Sequence, residues 1–569
     1  MRLLQTCHFL ICCALFVLPP DDWSPQAFAD LNLLQISGNQ EKKTDQPTET
    51  PRCNVTLTLL ESQPKLTPNS IRVSKIVSGM LRVRDSRGNL IPLTGLMNRG
   101  TGVKASPESE RAGIHSWSVV RGEVQLSLPQ TQLNFEAFAG LETELTRQTI
   151  DLKGTTSKQI SLELKQFCDL SPHYKTANTH LHLMRLTREE CDRYLKQIPR
   201  ADRLDLVFLS YLERAIADKT YISNRYTKAD LKALSKRSGV KFGWGEEHRH
   251  NSSGYDEGYG HVMLLDIKRL IQPVSIGPGI MKQGTDGIPL SRGIQTARSD
   301  QATVIWCHNA WGMESTPHFI QGNVHALNIF DGGTRSTYED SYYQYLNVGC
   351  RVPFSTGTDW FQYDFSRVYA RMETPLSISN WLASLQAGRT FITNGPLLEL
   401  RVNGKTIGDE LELSPDQNRI RIEASGQGRL DFQRLELIHN GKVIATEKTK
   451  PVQNHFAAEM KLTLEVDQPG WIAVRTPSPS VPNDPERQKQ TPLNEYGREL
   501  FSHTSPVYLV WEGQARFEIK QAKKLLAEMQ QSREKIANRF VFADKQEQAT
   551  VLDVYSDGIE QLENQIKSR

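Results

Sequence analysis

The sequence predicts an α/β protein in which a strand–helix block, residues 171–396, is flanked by two β-sandwich modules, 52–170 and 397–512, and followed by helices over 513–569. Three observations predict it. Short apolar runs alternate with helical patterns through the middle of the chain. Period-two alternation dominates on both sides of it. A helical apolar spacing closes the chain.

The elements follow in order. Arg2, the apolar run 9–18 and the small-residue site Ala27-Phe28-Ala29 form the three parts of a secretory signal peptide, 1–29. The run ends at Pro19 and Pro20, too short to span a bilayer, and no later run reaches 18 apolar residues. Export to the periplasm or the extracellular space without stable membrane insertion is therefore expected. A polar linker occupies 30–51. The runs NVTLTLL, GEVQLSL and KQISLELKQF, separated by turn residues, predict the first sandwich. In the middle block, LTREECDRYLKQI predicts one helix. TKADLKALSKRSG predicts a second, with Thr227 as its N-cap and Gly239 as its C-cap. LLELRVNG, NRIRIEAS and PVYLVW predict the second sandwich. Ala522, Leu525, Leu526, Met529, Ile536 and Phe540 define one buried face of the C-terminal helical segment.

Composition narrows the function. The chain has 569 residues, 38% hydrophobic and 23% charged, so it can build real cores. A net charge of +3 offers no global attraction to nucleic acid, and none is expected as a partner. The cysteines are sparse and lack zinc-finger spacing, although Cys53 and Cys168, at the two ends of the first β-rich region, could pair. No nucleophile-elbow or phosphate-loop motif occurs. The Gly-rich stretch Ser275 to Pro289 is instead a candidate for a mobile loop over the site.

Five polar signals lie at or near the ends of successive predicted strands. His180-Leu181-His182 puts two imidazoles on one face of a strand. Gly245-Glu246-Glu247-His248-Arg249-His250 ends another strand in carboxylates, where one carboxylate can serve two cations. His261 begins a strand, His308 ends one, and Asp359 follows a fifth. Each alone is a weak signal. Together, at the strand ends where α/β folds build sites, they argue for one shared imidazole–carboxylate metal centre. That ligand mix suits Zn, Mn or Fe better than Ca.

The order HxH, GEE, GH, CHN and GTDW resembles the PHP (polymerase and histidinol phosphatase) metallohydrolase superfamily. GRTFITNGPLLELRVNG from Gly388 and SHTSPVYLVW from Ser502 resemble its CehA/McbA-type branch. The resemblance covers about 173–511. It implies a distorted (β/α)7 barrel with metals at the carboxyl ends of its strands. It implies His180, His182, Glu247 and Asp359 as ligands of a first metal and Glu247, His261 and His308 as ligands of a second, with Glu246 the alternative bridging residue. Two family positions differ. The strand after HxH carries no terminal Asp or His, and Phe361 stands where a final histidine is usual. Both serve a third metal in the family, so the resemblance implies two divalent ions.

The function this implies is a secreted hydrolase that activates water against a phosphoester, carbamate or amide bond of a small-molecule substrate. Glu247, His248, Arg249 and His250 are the candidate catalytic group, with Arg249 suited to a phosphate or carboxylate. Asn309 and Asp331 are candidates to support the ligands from behind. Trp360 and Phe361 are expected to narrow the mouth. A metal-holding barrel without turnover, binding a ligand or partner at the cell envelope, and a structural envelope component are the competing classes. The oligomeric state is not legible.

Overall fold

The computed structural model describes residues 51–62, 74–104, 113–214, 221–253, 258–334, 336–479 and 491–569. The expected signal peptide, and the expected linker apart from its last residue, lie outside them. The described chain is a mixed α/β fold, rich in strands, with a curled half-barrel sheet in the middle and further sheets on either side of it in sequence.

In the N-terminal region, one sheet holds Arg52–Ser62, Ser74–Ile76, Glu123–Pro129 and Ser157–Lys165. A second, five-stranded sheet is centred on Gly79–Asp85. Alternate residues of both, such as Val55, Leu57, Val83 and Phe135, fill one shared core, as the period-two pattern requires. The Cys53–Cys168 pair that the sequence allowed does not form. Both thiols are free, because Cys53 is buried inside this core while Cys168 packs against a different one.

The central sheet begins with Tyr174–His182. Leu206–Tyr211 and Lys241–His250 follow in parallel; Gly260–Leu265 and Thr303–Trp306 then pair antiparallel in turn, and Ala326–Asn328 and Phe354–Ser355 follow in parallel. The sheet curls until the chain after Phe354–Ser355 reaches the first strand again. Asp359–Trp360 pairs in parallel with Leu181–His182, and Thr179 Oγ1 donates to the Thr356 carbonyl at 2.9 Å. Strand ends remote in sequence thereby meet at one rim. The two expected helices are Arg188–Ala201 and Lys228–Ser238. Each starts in a capping box, Thr187 with Glu190 and Thr227 with Asp230. The second stops at Gly239, whose φ of 77° suits a residue without Cβ.

The expected boundary at 396–397 is not a break in the hydrogen bonding. Thr390–Thr393 pairs with Arg367–Arg371 on one side and Ser502–Thr504 on the other, so the central sheet runs on into the C-terminal strands. Those strands share a core with the five-stranded sheet built on Leu397–Val402 and Arg419–Gly428. The chain closes in two helices, Ile519–Arg539 and Lys545–Lys567, with Ala522, Leu525, Met529 and Ile536 buried as the spacing requires. Residues 275–289 are anchored by pairing and packing. Ser275–Ile276 pairs with Arg249–His250, and Asp286 is buried, accepting from the Val541 amide at 2.8 Å. The segment ties the C-terminal helices to the body. Among the described residues no helix is long and apolar enough to cross a membrane.

Candidate metal centre

The curl of the sheet brings six side chains to one place. His180 and His182 are two residues apart on one strand and point the same way. Their Nε2 atoms are 3.1 Å apart. Glu247 Oε2 lies 2.9 Å from His182 Nε2 and 3.6 Å from His180 Nε2. Asp359 Oδ1 lies 3.3 and 3.6 Å from the same two nitrogens. A tetrahedral ion with bonds near 2.0–2.1 Å needs ligand atoms about 3.3 Å apart, and these separations bracket that value. The second carboxylate oxygen of Glu247 faces the other way. Oε1 is 3.2 Å from His261 Nδ1 and 3.7 Å from His308 Nε2. One carboxylate thus joins a four-ligand group to a three-ligand group.

The far sides of the imidazoles are fixed. His182 Nδ1 donates to the Ser210 carbonyl at 3.0 Å and His180 Nδ1 to Asp331 Oδ2 at 2.9 Å. His308 Nδ1 donates to Asp331 Oδ1 at 3.1 Å, and His261 Nε2 to Asn251 Oδ1 at 3.2 Å. With one nitrogen committed as donor, each ring in its neutral form presents the other nitrogen's lone pair to the centre. Acceptors then converge on acceptors. Asp359 Oδ1 and His261 Nδ1 are buried without a hydrogen-bond partner. Burying such atoms unpaired costs about 1–3 kcal/mol each, which a cation would offset; the donor set therefore fits metal ions.

Electrostatics separate the two acids. Burial raises the Glu247 pKa, but Arg249 and the neighbouring imidazoles of His180, His182 and His261 outweigh it and hold the group well below its ordinary value. Asp359 moves up, through burial and the Glu247 charge. Burial would lower His180 and His308. Asp359 and Asp331 raise the first, Asp331 and Glu247 the second, and both end well above the ordinary imidazole value, so a cation entering the centre would displace a proton from each ring. His261 is pushed down to about 3, by burial and then by Arg249.

The backbone at the strand ends is strained to hold this geometry. His308, Asn309, Ala310, Phe330, Asp359 and Phe361 all have φ between 54° and 65°. Non-glycine residues adopt this region rarely, at about 1–3 kcal/mol each, and such residues gather at functional sites. Gly357 allows the close pass, since a Cβ there would stand 2.5 Å from His180 Cβ.

Alternation along Lys241–His250 sorts the other expected residues. Glu247 and Arg249 point into the centre, and Arg249 Nη1 is 3.8 Å from Glu247 Oε2. The structure does not bring His248 or His250 there. His248 lies on the opposite face between Glu246, at 3.2 Å, and Arg292, at 3.3 Å. His250 stacks on Tyr259 with ring centroids 3.8 Å apart, and its Nε2 is 3.0 Å from Asp286. Glu246, the alternative bridging residue, accepts from the Ile271 amide instead. Asn251 and Ser252, just past this strand, are also buried.

Trp360 stands beside His182, with centroids 5.2 Å apart, but Phe361 does not narrow the mouth. It is buried against Tyr194 and Gly102 in the adjoining core. Sequence reasoning missed Trp311, whose ring is 4.8 Å from that of His261, and the supporting roles of Asn251 and the Ser210 carbonyl. A carbonyl leaves no residue-type signal. Asn309 supports the loop geometry, accepting from the Phe330 amide at 2.9 Å.

Comparison with family models, curated proteins and solved structures finds no match to this chain.

Proposed function

We propose that this chain is an exported metal-dependent hydrolase of the PHP superfamily, of the CehA/McbA type, acting on a phosphoester, carbamate or amide bond. In this reading the curled sheet is a PHP-like distorted (β/α)7 barrel, and the sheet pairs beside it are two β-sandwiches. The observation that carries the reading is Glu247. Its two oxygens face two separate sets of imidazoles, beside buried lone pairs on Asp359 and His261 that have no donor.

His180, His182, Glu247 and Asp359 would hold one divalent cation, and Glu247, His261 and His308 a second; Zn, Mn and Fe suit the donors. Bound cations would supply Lewis acidity and the lowered water pKa that hydrolysis near neutral pH needs. The chain's own residues do the rest. Asp331, Ser210 and Asn251 hold each imidazole in the tautomer that faces inward. Arg249 is largely buried beside Glu247, and its Nε has no hydrogen-bond partner. It is therefore placed to receive an anionic group of the substrate. Trp311 and Trp360 limit the water around the centre.

The second reading is a barrel that holds metal without turnover. The tight mouth favours it, since the most exposed ligand side chain, His308, is only 13% accessible. Elemental mass spectrometry on the purified chain, paired with a panel of phosphate, carbamate and amide substrates before and after chelation, separates the two. About two transition-metal ions per chain with chelator-sensitive hydrolysis supports the enzyme. The same metal content with no hydrolysis supports the silent barrel. No metal after reconstitution overturns both.

A further inference from the structure

We propose that Asp331 is a positioning residue that couples the two metal sites, so that filling one raises the affinity of the other. The proposal rests on the dinuclear reading above and adds a residue outside both ligand sets.

Asp331 is fully buried, and each of its carboxylate oxygens serves a different site. Oδ2 accepts from His180 Nδ1 of the four-ligand group at 2.9 Å and from Asn328 Nδ2 at 3.2 Å. Oδ1 accepts from His308 Nδ1 of the three-ligand group at 3.1 Å and from the His308 amide at 2.9 Å. The carboxylate is rigid, so its two oxygens cannot move independently. Fixing His180 on a cation fixes the plane of Asp331, and that plane sets the ring of His308. The backbone around it leaves little freedom. Phe330 and Gly332, on either side, have φ of 58° and 60°, and the Phe330 amide is held by Asn309, next to His308 in the chain. Glu247 also joins the sites, but as a direct ligand of both. Asp331 would join them from behind, by orientation alone.

The substitution Asp331→Asn separates orientation from shape. It preserves volume but turns one acceptor into an NH2 group. That group must then meet an imidazole N–H, forcing one ring to flip its tautomer and withdraw its lone pair. The test is titration of the chelator-stripped full chain with Co2+. Calorimetry gives two affinities, and the visible ligand-field spectrum reports each site's geometry.

Wild type is expected to show two sites, the second tightened by the first. Asp331→Asn is expected to lose about 10–100-fold at one site, lose the coupling, and change the spectrum of that site. Asn328→Ser touches neither ligand set and keeps the test alive if Asp331→Asn does not fold. It removes one of the two donors to Oδ2 and is expected to weaken the four-ligand site more than the other. Two independent sites in wild type, or wild-type affinities and spectra in a folded Asp331→Asn, would overturn the proposal and leave the dinuclear reading standing. The same holds if Asp331→Asn does not fold and Asn328→Ser binds like wild type. Fewer than two sites in wild type would overturn both.

Discussion

The two faces of Lys241–His250 carry nearly the same residues and do different things. Glu246 and His248 face outward, while Glu247 and Arg249 face inward; all four are wholly or largely buried. On the outer face, donors meet acceptors. Glu246 takes the Ile271 amide and lies against His248, and His248 lies between Glu246 and Arg292. On the inner face, acceptors meet acceptors, with imidazole lone pairs and carboxylate oxygens 2.9–3.7 Å apart. Burial and charge alone do not mark a site. A mismatch of donors and acceptors that a cation would resolve does.

The largest effect breaks the symmetry between the neighbouring glutamates. Glu247→Gln should reduce metal affinity by at least about 100-fold, more than typical losses behind the ligands. Glu246→Gln should leave metal content unchanged. Elemental mass spectrometry on the two variants reads the contrast, and equal losses would mean that the faces are not distinct.

A smaller effect concerns the inner face alone. Arg249→Gln should retain both metals but lose about 10-fold in kcat/KM on an anionic ester, the value of one hydrogen bond to a charged group. On a neutral ester the loss should be slight; an equal loss on both would deny Arg249 a role in holding an anion. On the outer face, Glu246→Gln should instead cost about 1–3 kcal/mol of stability in urea, since its amide NH2 turns toward a donor.

The smallest effect is a slope against pH. Burial holds the His248 pKa below its ordinary 6.5, so its native state binds fewer protons than the unfolded chain. Its contribution is therefore present above about pH 6.5 and is lost as pH falls toward the depressed value. Comparing Glu247→Gln with Glu247→Gln/His248→Gln removes metal release from the experiment. Urea unfolding at pH 7.5 and pH 5 should show a shallower acid loss in the double variant.

Much of this was legible because it is local. Period-two runs, the Thr187 and Thr227 caps, the Gly239 stop and the buried stripe of the last helices each depend on residues a few positions apart. The expected ligands were legible for a related reason. HxH shares a face within one strand, and imidazoles and carboxylates at strand ends stand out by residue type.

Other features were decided by what each side chain met across space. Period two says that Glu246 and Glu247 face opposite ways. Only the curl of the sheet, which carries Asp359 back beside Leu181, says which face is the inside. The same packing sent Phe361 into the neighbouring core, tied residues 275–289 to the C-terminal helices, kept Cys53 from Cys168, and ran the central sheet past residue 396. By itself the sequence determined which residues have the chemistry to hold a cation. The tertiary structure alone decided which lone pairs converge, because convergence depends on the register and curvature of strands far apart in the chain.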